Sequence, residues 1–222
     1  MSDPARPLVL ITGGGGRIGQ ALSREFAAAG WQVAAPGRSG MDVRKAASIG
    51  PAIALLPRID LLINSAGLRL DAPFLKLPAQ NWDAVLETNL KGAWLCARAV
   101  LPRMQAQGAG HIVNLGSFTA RHGTAGQTAY GAAKAGLLAL TQSLAAEAGP
   151  DNIRVNAVLP GWMPTPFNAD LSPEVHESVR RQHHLGHFNT PEQTARFIYF
   201  LHSLPHTSGQ IFQLDSRPGS WL

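Results

Sequence analysis

The chain has 222 residues, of which 45% are hydrophobic and 15% are charged, enough for one domain with a sizeable core. Its formal net charge is +5 at pH 7, but the arginines are scattered and form no basic run interleaved with aromatic residues, which argues against nucleic-acid binding. No run of about 18 apolar residues occurs, and the amino terminus lacks the apolar centre of a signal peptide. We therefore predict a single domain over residues 1–222, located in the cytoplasm, that binds neither nucleic acid nor membrane. The single cysteine, Cys96, is interpreted as a small core residue.

Strand-like and helix-like segments alternate along the chain. Short apolar and β-branched runs predict strands at 8–12, 32–35, 61–64, 111–115, 154–159 and 210–214. Gly30 is a stop signal for the first helix, and Thr190 followed by Pro191 and Gln193 marks the start of the last one. The alternation predicts an α/β fold, a Rossmann-type doubly wound parallel sheet with helices on both faces.

The segment after the second predicted strand is unusually short. Only residues 36–40 separate this strand from Met41, Asp42 and Val43, whereas a helical crossover between parallel strands needs roughly a dozen residues. The helix after the second strand is therefore predicted to be missing. Two alternatives stay open: a short third strand at 41–43 reached by a loop, or a sheet that ends at the second strand.

A glycine-rich turn joins the first predicted strand to the first predicted helix. Residues 12–19 read TGGGGRIG. Such a turn lets backbone N–H groups and the positive end of the helix approach a pyrophosphate, which points to Gly13, Gly16, Arg17, Ile18 and Gly19 as cofactor contacts. For the glycines alone, a turn without a ligand is the alternative.

The residues after the second strand bear on the choice of cofactor. No acidic residue lies there to bind a ribose 2′-hydroxyl, and Arg38 and Ser39 take that place. Because a guanidinium offers several fixed donors to phosphate oxygens, the sequence favours NADP(H) over NAD(H). Arg17 would add positive charge near the same phosphates, with a solvated arginine in the first helical turn as the alternative.

Three side chains form a candidate catalytic group. Tyr130 and Lys134 lie four residues apart, hence on one face of a helix, and Ser117 follows the predicted strand at 111–115. A nearby ammonium lowers the pKa of a tyrosine, so Lys134 is expected to make Tyr130 a usable acid–base group. Tyr130 would give a proton to a carbonyl oxygen while a hydride reaches the carbon, and Ser117 would donate a hydrogen bond to that oxygen.

Together these motifs resemble the short-chain dehydrogenase/reductase family, most closely its 3-oxoacyl-carrier-protein-reductase-like branch, over about residues 7–215. The resemblance implies that Asn89 anchors a water in a proton relay to Lys134, and that Tyr130 and Lys134 also contact the nicotinamide ribose. It implies further cofactor-site residues: Asp42, Val43, Asn64, Ala66, Gly67, Pro160, Gly161 and Thr165. It also implies a homodimer or homotetramer, for which the alanine-rich helix at 129–148 is the candidate interface.

The predicted function is NADP(H)-dependent hydride transfer between nicotinamide and a ketone or secondary alcohol. The substrate would be a small molecule or a carrier-bound carbonyl compound such as a 3-oxoacyl thioester. Two alternatives stay open: an NADP-binding sensor or scaffold without turnover, and a pteridine-reductase-like enzyme. Arg17, in place of the second glycine usual in the family, favours the latter, whereas Ser117 argues against it.

Other residues receive less specific interpretations. Trp162, Met163 and Phe167 are candidates for a substrate pocket or for a lid. No metal is expected, because no carboxylate or cysteine completes a ligand set with His183, His184 and His187. The chain also departs from the family near its end, where Asp215, Ser216 and Arg217 stand in place of an aspartate with two glycines. Contacts of the carboxyl-terminal segment are therefore expected to differ.

Overall fold

The computed structural model describes residues 6–168 and 172–218. Its strands are β1 (Leu8–Ile11), β2 (Gln32–Ala34), β3 (Leu61–Asn64), β4 (Gly110–Leu115), β5 (Ile153–Leu159) and β6 (Ile211–Gln213). Its α-helices are α1 (Arg17–Ala28), α2 (Ala46–Ala54), α3 (Ala79–Leu86), α4 (Gly92–Gln107), α5 (Thr128–Ala148), α6 (Pro173–Arg181) and α7 (Pro191–His202). Each predicted strand is confirmed to within one residue at either end.

The strands form one parallel sheet in the order β2-β1-β3-β4-β5-β6. The chain leaves β1 toward β2 on one side and continues from β3 on the other, so the direction of winding reverses between β1 and β3. In such sheets, ligands bind outside the carboxyl ends of the strands at this reversal. The predicted α/β class and doubly wound arrangement are confirmed.

Helices cover both faces of the sheet. Alternate residues of a strand point to opposite faces. Leu8 and Leu10 of β1 belong to the core layer under α2, α4 and α5, whereas Val9 and Ile11 belong to the layer under α1 and α7. Cys96 is fully buried in the first layer, and burial raises the pKa of its thiol to about 12, which fits its interpretation as a core residue.

The short segment after β2 confirms one of the two alternatives. Residues 36–45 form turns, with no helix before Met41 and no strand at 41–43, so the sheet ends at β2. The crossover to β3 is made by α2 instead. Met41 and Val43 are buried, and Val43 packs so closely on α4 that a Cβ on Gly92 would lie 2.8 Å from its Cγ2. These residues therefore complete the core without extending the sheet.

Helix ends follow the sequence signals. The hydroxyl of Thr190 accepts a hydrogen bond from the backbone N–H of Gln193 and caps α7, and Gly30, just after α1, has a positive φ of 85°. On α5, Ala135 and Ala139 are exposed on the outer face. Among the described residues, no helix is both long and apolar enough to span a bilayer.

Candidate active site

A cleft of about 1360 Å³ runs along the carboxyl ends of the strands. It begins at the glycine turn after β1, passes the ends of β3 and β4, and reaches the segment after β5. Predicted site residues that line it are Gly13, Gly16, Arg17, Ile18, Gly19, Arg38, Asp42, Val43, Ala66, Gly67, Ser117, Tyr130, Lys134, Pro160, Gly161 and Thr165. Ser39, Asn64 and Asn89 do not line it.

The glycine turn is shaped by close packing. Gly13 has a φ of 68°, and a Cβ there would lie 2.8 Å from the Cα of Ala66, while a Cβ on Gly14 would overlap the carbonyl oxygen of Ala35. Gly15 has open space where a Cβ would be, and it faces the cleft. The packing explains two of the glycines, and the open side of the turn leaves room for a ligand next to the backbone.

The amino end of α1 faces the same space. Arg17 is its first residue, and Arg17, Ile18 and Gly19 line the cleft. The first N–H groups of a helix have no intrahelical partner and carry the positive end of the helix dipole. No acidic side chain lies in this first turn. The turn and helix end therefore fit the pyrophosphate of a dinucleotide.

The cleft end beside β2 contains three arginines, Arg17, Arg38 and Arg44, and the carboxylate of Asp42. Arg44 donates to Asp42 through Nε at 2.9 Å and Nη2 at 2.7 Å, and Nε of Arg38 lies 3.8 Å from the same carboxylate. The Arg44 hydrogen bond holds the pKa of Asp42 well below its usual range. Asp42 was predicted as a cofactor contact; its carboxylate is engaged by Arg44, a residue that the sequence analysis missed.

Ser117, Tyr130 and Lys134 meet at the carboxyl end of β4. Ser117 begins the helical turn at Phe118–Ala120, and its hydroxyl accepts a hydrogen bond from the backbone N–H of Thr119 at 3.2 Å. Lys134 is buried, donates through Nζ to the carbonyl of Leu115 at 2.6 Å, and lies 5.7 Å from the centre of the Tyr130 ring. The three side chains thus share one wall of the cleft.

The pKa values in this group differ from the expectation. Burial raises the pKa of Tyr130 to about 12, and hydrogen bonding with Ser117 and the charge of Arg69 oppose this only in part. Burial also lowers the pKa of Lys134 to about 8. The expected lowering of the tyrosine pKa by Lys134 is therefore wrong for this structure, because burying the phenolate costs more than nearby charges return, and the lysine spends a hydrogen bond on Leu115.

Asn89 lies within a single π-helical turn, Glu87–Lys91, between α3 and α4. Its side-chain amide donates to the carbonyls of Leu68 at 2.7 Å and Val85 at 2.9 Å, and its Oδ1 accepts from the N–H of Leu68 at 3.3 Å. Such π-turns are frequent at functional sites. Here the amide holds the loop after β3 against the cleft wall.

Asn64 is buried at the end of β3. Its Nδ2 donates to Oδ1 of Asn114 at 2.8 Å, and Nδ2 of Asn114 donates to the hydroxyl of Thr141 on α5 at 2.9 Å. This chain of polar groups ties β3, β4 and α5 together. It supports the part of the prediction in which Asn64 stabilises the central strands and places the side chain away from the cleft.

The far end of the cleft is more apolar. Trp162, Met163 and Phe167 line it, and the rings of Phe167 and Tyr130 lie 6.0 Å apart. Helix α6 adds Val175 and Val179, which sequence reasoning missed because nothing in that segment marks which side of the helix faces the cleft. No cluster of three potential metal ligands occurs within 6–168 and 172–218.

Taken with the parallel sheet, this cleft defines the protein as an oxidoreductase built on a dinucleotide-binding fold. Comparison with known proteins then gives the family: the chain belongs to the short-chain dehydrogenases/reductases, whose members bind a nicotinamide cofactor. A family model described as enoyl-(acyl carrier protein) reductase matches residues 39–216.

Individual relatives agree with this assignment. The chain is similar to a 3-oxoacyl-[acyl-carrier-protein] reductase of Aquifex aeolicus, with 36% identity over 93% of this chain and 94% of the relative. A Thermotoga maritima enzyme of the same name is 40% identical over 71% of this chain, a match that spans 65% of that relative. The solved structure of an Agrobacterium tumefaciens protein assigned as a gluconate dehydrogenase superposes with a TM-score of 0.87 at 28% identity, covering 96% of this chain and 95% of that one.

Proposed function

We propose that this protein is an NADP(H)-preferring carbonyl reductase, in which Tyr130 is the proton donor, Ser117 a hydrogen-bond donor to the carbonyl oxygen, and Lys134 a buried cation beside them. The observation that carries the proposal is that these three side chains share one cleft wall with the glycine turn, so one ligand can reach both. The bound nicotinamide supplies the hydride.

Tyr130 suits the reducing direction. With a pKa of about 12, its hydroxyl keeps its proton at neutral pH and is ready to donate it to an oxygen that gains negative charge. Ser117, hydrogen bonded to Tyr130, offers a second O–H to the same oxygen. Lys134 Nζ, 5.7 Å from the ring centre, favours the phenolate that forms once the proton has left. The resulting alcohol carries the hydride on its carbon and the tyrosine proton on its oxygen.

Two further residues support this arrangement. Asn89 fixes the loop at Leu68 and remains our candidate for anchoring a water in a relay that returns a proton toward Lys134. Gly161 and Thr165 border the cleft after β5, where a nicotinamide ring would lie between the segment after β5 and Tyr130.

The preference for NADP(H) is supported by charge. No carboxylate follows β2 to bind a ribose 2′-hydroxyl, and Asp42, further along, is already paired with Arg44. Arg38 is 75% exposed, so its guanidinium is accessible to a 2′-phosphate at the cleft entrance. Three guanidiniums face one carboxylate there, which favours the cofactor with the extra phosphate.

The proposed substrate is a ketone, which includes 3-oxoacyl thioesters because the similar Aquifex and Thermotoga proteins are named for that reaction. We also propose a homodimer or homotetramer with α5 at the interface, since its outer face presents small residues that allow close approach of another helix.

The test is NADPH oxidation by the purified protein with acetoacetyl thioesters, diketones, quinones and dihydropterins. Tyr130→Phe should reduce turnover at least about a hundredfold, because it removes the proton donor and nothing else. The chain has a second tyrosine, Tyr199 on α7, whose ring packs 5.4 Å from that of Phe26, far from the cleft. Tyr199→Phe is therefore the matched control and should keep full activity. Equal turnover by wild type and Tyr130→Phe would refute the assignment, and reduction of dihydropterins alone would replace it.

A further inference from the structure

Arg217 is a buried cation at the substrate side of the cleft. It lies three residues beyond Leu214, where the family pattern differs, and its side chain is 7% exposed. Its Nε and Nη2 donate to Oδ2 of Asp215 at 2.7 and 2.5 Å. Its guanidinium carbon lies 3.7 Å from the centre of the Phe118 ring. A charged side chain held on two sides in this way is oriented before any ligand arrives.

The position of this guanidinium is close to the proposed reacting centre. Phe118 directly follows Ser117. Asp215 packs against Gly161, since a Cβ added there would lie 2.6 Å from the Asp215 Cβ. Arg217 therefore lies between the serine that would hold the carbonyl oxygen and the glycine that would border the nicotinamide.

The pair presents only its positive member to the cleft. Arg217 lines the cleft, whereas Asp215 does not, and the Asp215 side chain is 1% exposed. Behind the carboxylate lies His183, whose Nδ1 donates to the carbonyl of Val179 at 2.8 Å and whose Nε2 is 3.6 Å from Oδ2 of Asp215. Nη1 of Arg217 makes no hydrogen bond to the described residues, so its two N–H groups remain available.

A second arginine in the same part of the cleft is arranged differently. Arg69 donates to Asp71 through Nη1 at 2.5 Å and to the carbonyl of Phe167 through Nη2 at 2.9 Å. Asp71 itself lines the cleft, so this pair shows both signs of charge to a ligand. Repulsion from the exposed carboxylate makes Arg69 a poor anion site, whereas Arg217 has no such carboxylate beside it in the described cleft lining.

We propose that Arg217 binds the carboxylate of the substrate, and that the preferred substrates are oxo acids and the matching hydroxy acids. This inference rests on the proposed carbonyl reductase activity and narrows its substrate class. The carboxylate accepts from Nη1 while the carbonyl oxygen accepts from Ser117 and Tyr130, so the two ends of a short oxo acid are held together. A neutral ester or thioester of the same skeleton offers no charge to this guanidinium.

The experiment compares pyruvate, acetoacetate, levulinate and phenylglyoxylate with their methyl esters, each as substrate with NADPH. Acetoacetate is also compared with its N-acetylcysteamine thioester. We expect wild type to have a higher kcat/KM for at least one acid than for its ester. In Arg217→Met, kcat/KM for that acid should fall about 10- to 100-fold, the size of a charge-assisted hydrogen bond, while the ester changes by less than about twofold. Arg217→Lys keeps the charge and should retain part of the preference.

Arg121→Met is the matched control, because Arg121 is an exposed arginine next to the same helical turn and outside the cleft lining. A wild-type preference for every ester or thioester over its acid overturns the inference, and this result needs no variant to fold. Equal losses on acid and ester in Arg217→Met also overturn it and make Arg217 a structural clamp of the segment after β6.

A binding measurement separates this inference from the proposed function. Calorimetric titration of the complex with NADP⁺ compares lactate and mandelate with their methyl esters, in wild type and in Arg217→Met. If no carbonyl compound is reduced but a hydroxy acid binds in a way that depends on Arg217, the reductase proposal fails and the carboxylate site stands. If neither hydroxy acid binds more tightly than its ester, the carboxylate site fails, whatever the turnover.

Discussion

Replacement of Arg38 tests how the cofactor is chosen. Arg38 is 75% exposed and lies 3.8 Å from Asp42, which keeps its two hydrogen bonds to Arg44 when Arg38 is changed. Hydrogen bonds to charged groups contribute about 1.5–3 kcal/mol, and exposure places this contact near the lower end. Arg38→Gln should therefore lower kcat/KM for NADPH about tenfold and leave that for NADH nearly unchanged. Arg38→Asp adds repulsion of about 1–2 kcal/mol against a dianionic phosphate, giving a total shift of about a hundredfold toward NADH.

The assay is the ratio of kcat/KM for NADPH and NADH, measured at low and at high salt. The preference of wild type should weaken with salt, because an exposed contact is screened within about 10 Å at 0.1 M ionic strength. Calorimetry with 2′,5′-ADP and 5′-AMP checks the same contact without turnover, and Arg121→Asp controls for the loss of surface charge. An unchanged cofactor ratio in Arg38→Asp would refute the role of Arg38 and leave Arg17 and Arg44 as the candidates.

Two further predictions concern stability and assembly. Burial lowers the pKa of Lys134 from 10.5 to about 8, so the unfolded chain binds this proton more tightly than the folded one, and the protonated lysine costs folding free energy below pH 8. At 1.36 kcal/mol per pKa unit, Lys134→Met should gain about 3 kcal/mol relative to wild type at pH 7 before lost contacts are counted, and this difference should shrink as the pH rises from 8 to 10.5 in urea unfolding. A difference that stays constant with pH would contradict the assigned pKa. On the outer face of α5, Ala135→Glu should convert the oligomer to monomers in sedimentation, with Ala146→Glu near the helix end as a control; a wild-type monomer would end the interface proposal.

Most of the fold could be predicted because its signals are local. The apolar runs, the glycine turn and the capping threonine Thr190 each act within a few residues, and the strands they mark were placed to within one residue. The end of the sheet at β2 was left open because the decision is not local. Val43 is apolar enough for a strand, and only its packing against Gly92 of α4 shows that it fills the core instead.

The site shows the same division between local and distant causes. The spacing of Tyr130 and Lys134 placed both on one helical face, but their pKa values depend on burial and on the carbonyl of Leu115 from another element. A rule based on an isolated tyrosine–lysine pair therefore gave the wrong direction for the tyrosine.

The two ends of the cleft differ in a way that bears on selectivity. At the β2 end, Asp42 lines the cleft beside its arginines, and Arg38 is largely in water, so the charge that favours an extra phosphate is moderated and screened. At the far end, Asp215 lies behind Arg217 and out of the cleft, so the guanidinium acts in a dry setting where each hydrogen bond to an anion counts for more. It follows that substrate charge should be discriminated more sharply, and with less dependence on salt, than the cofactor phosphate.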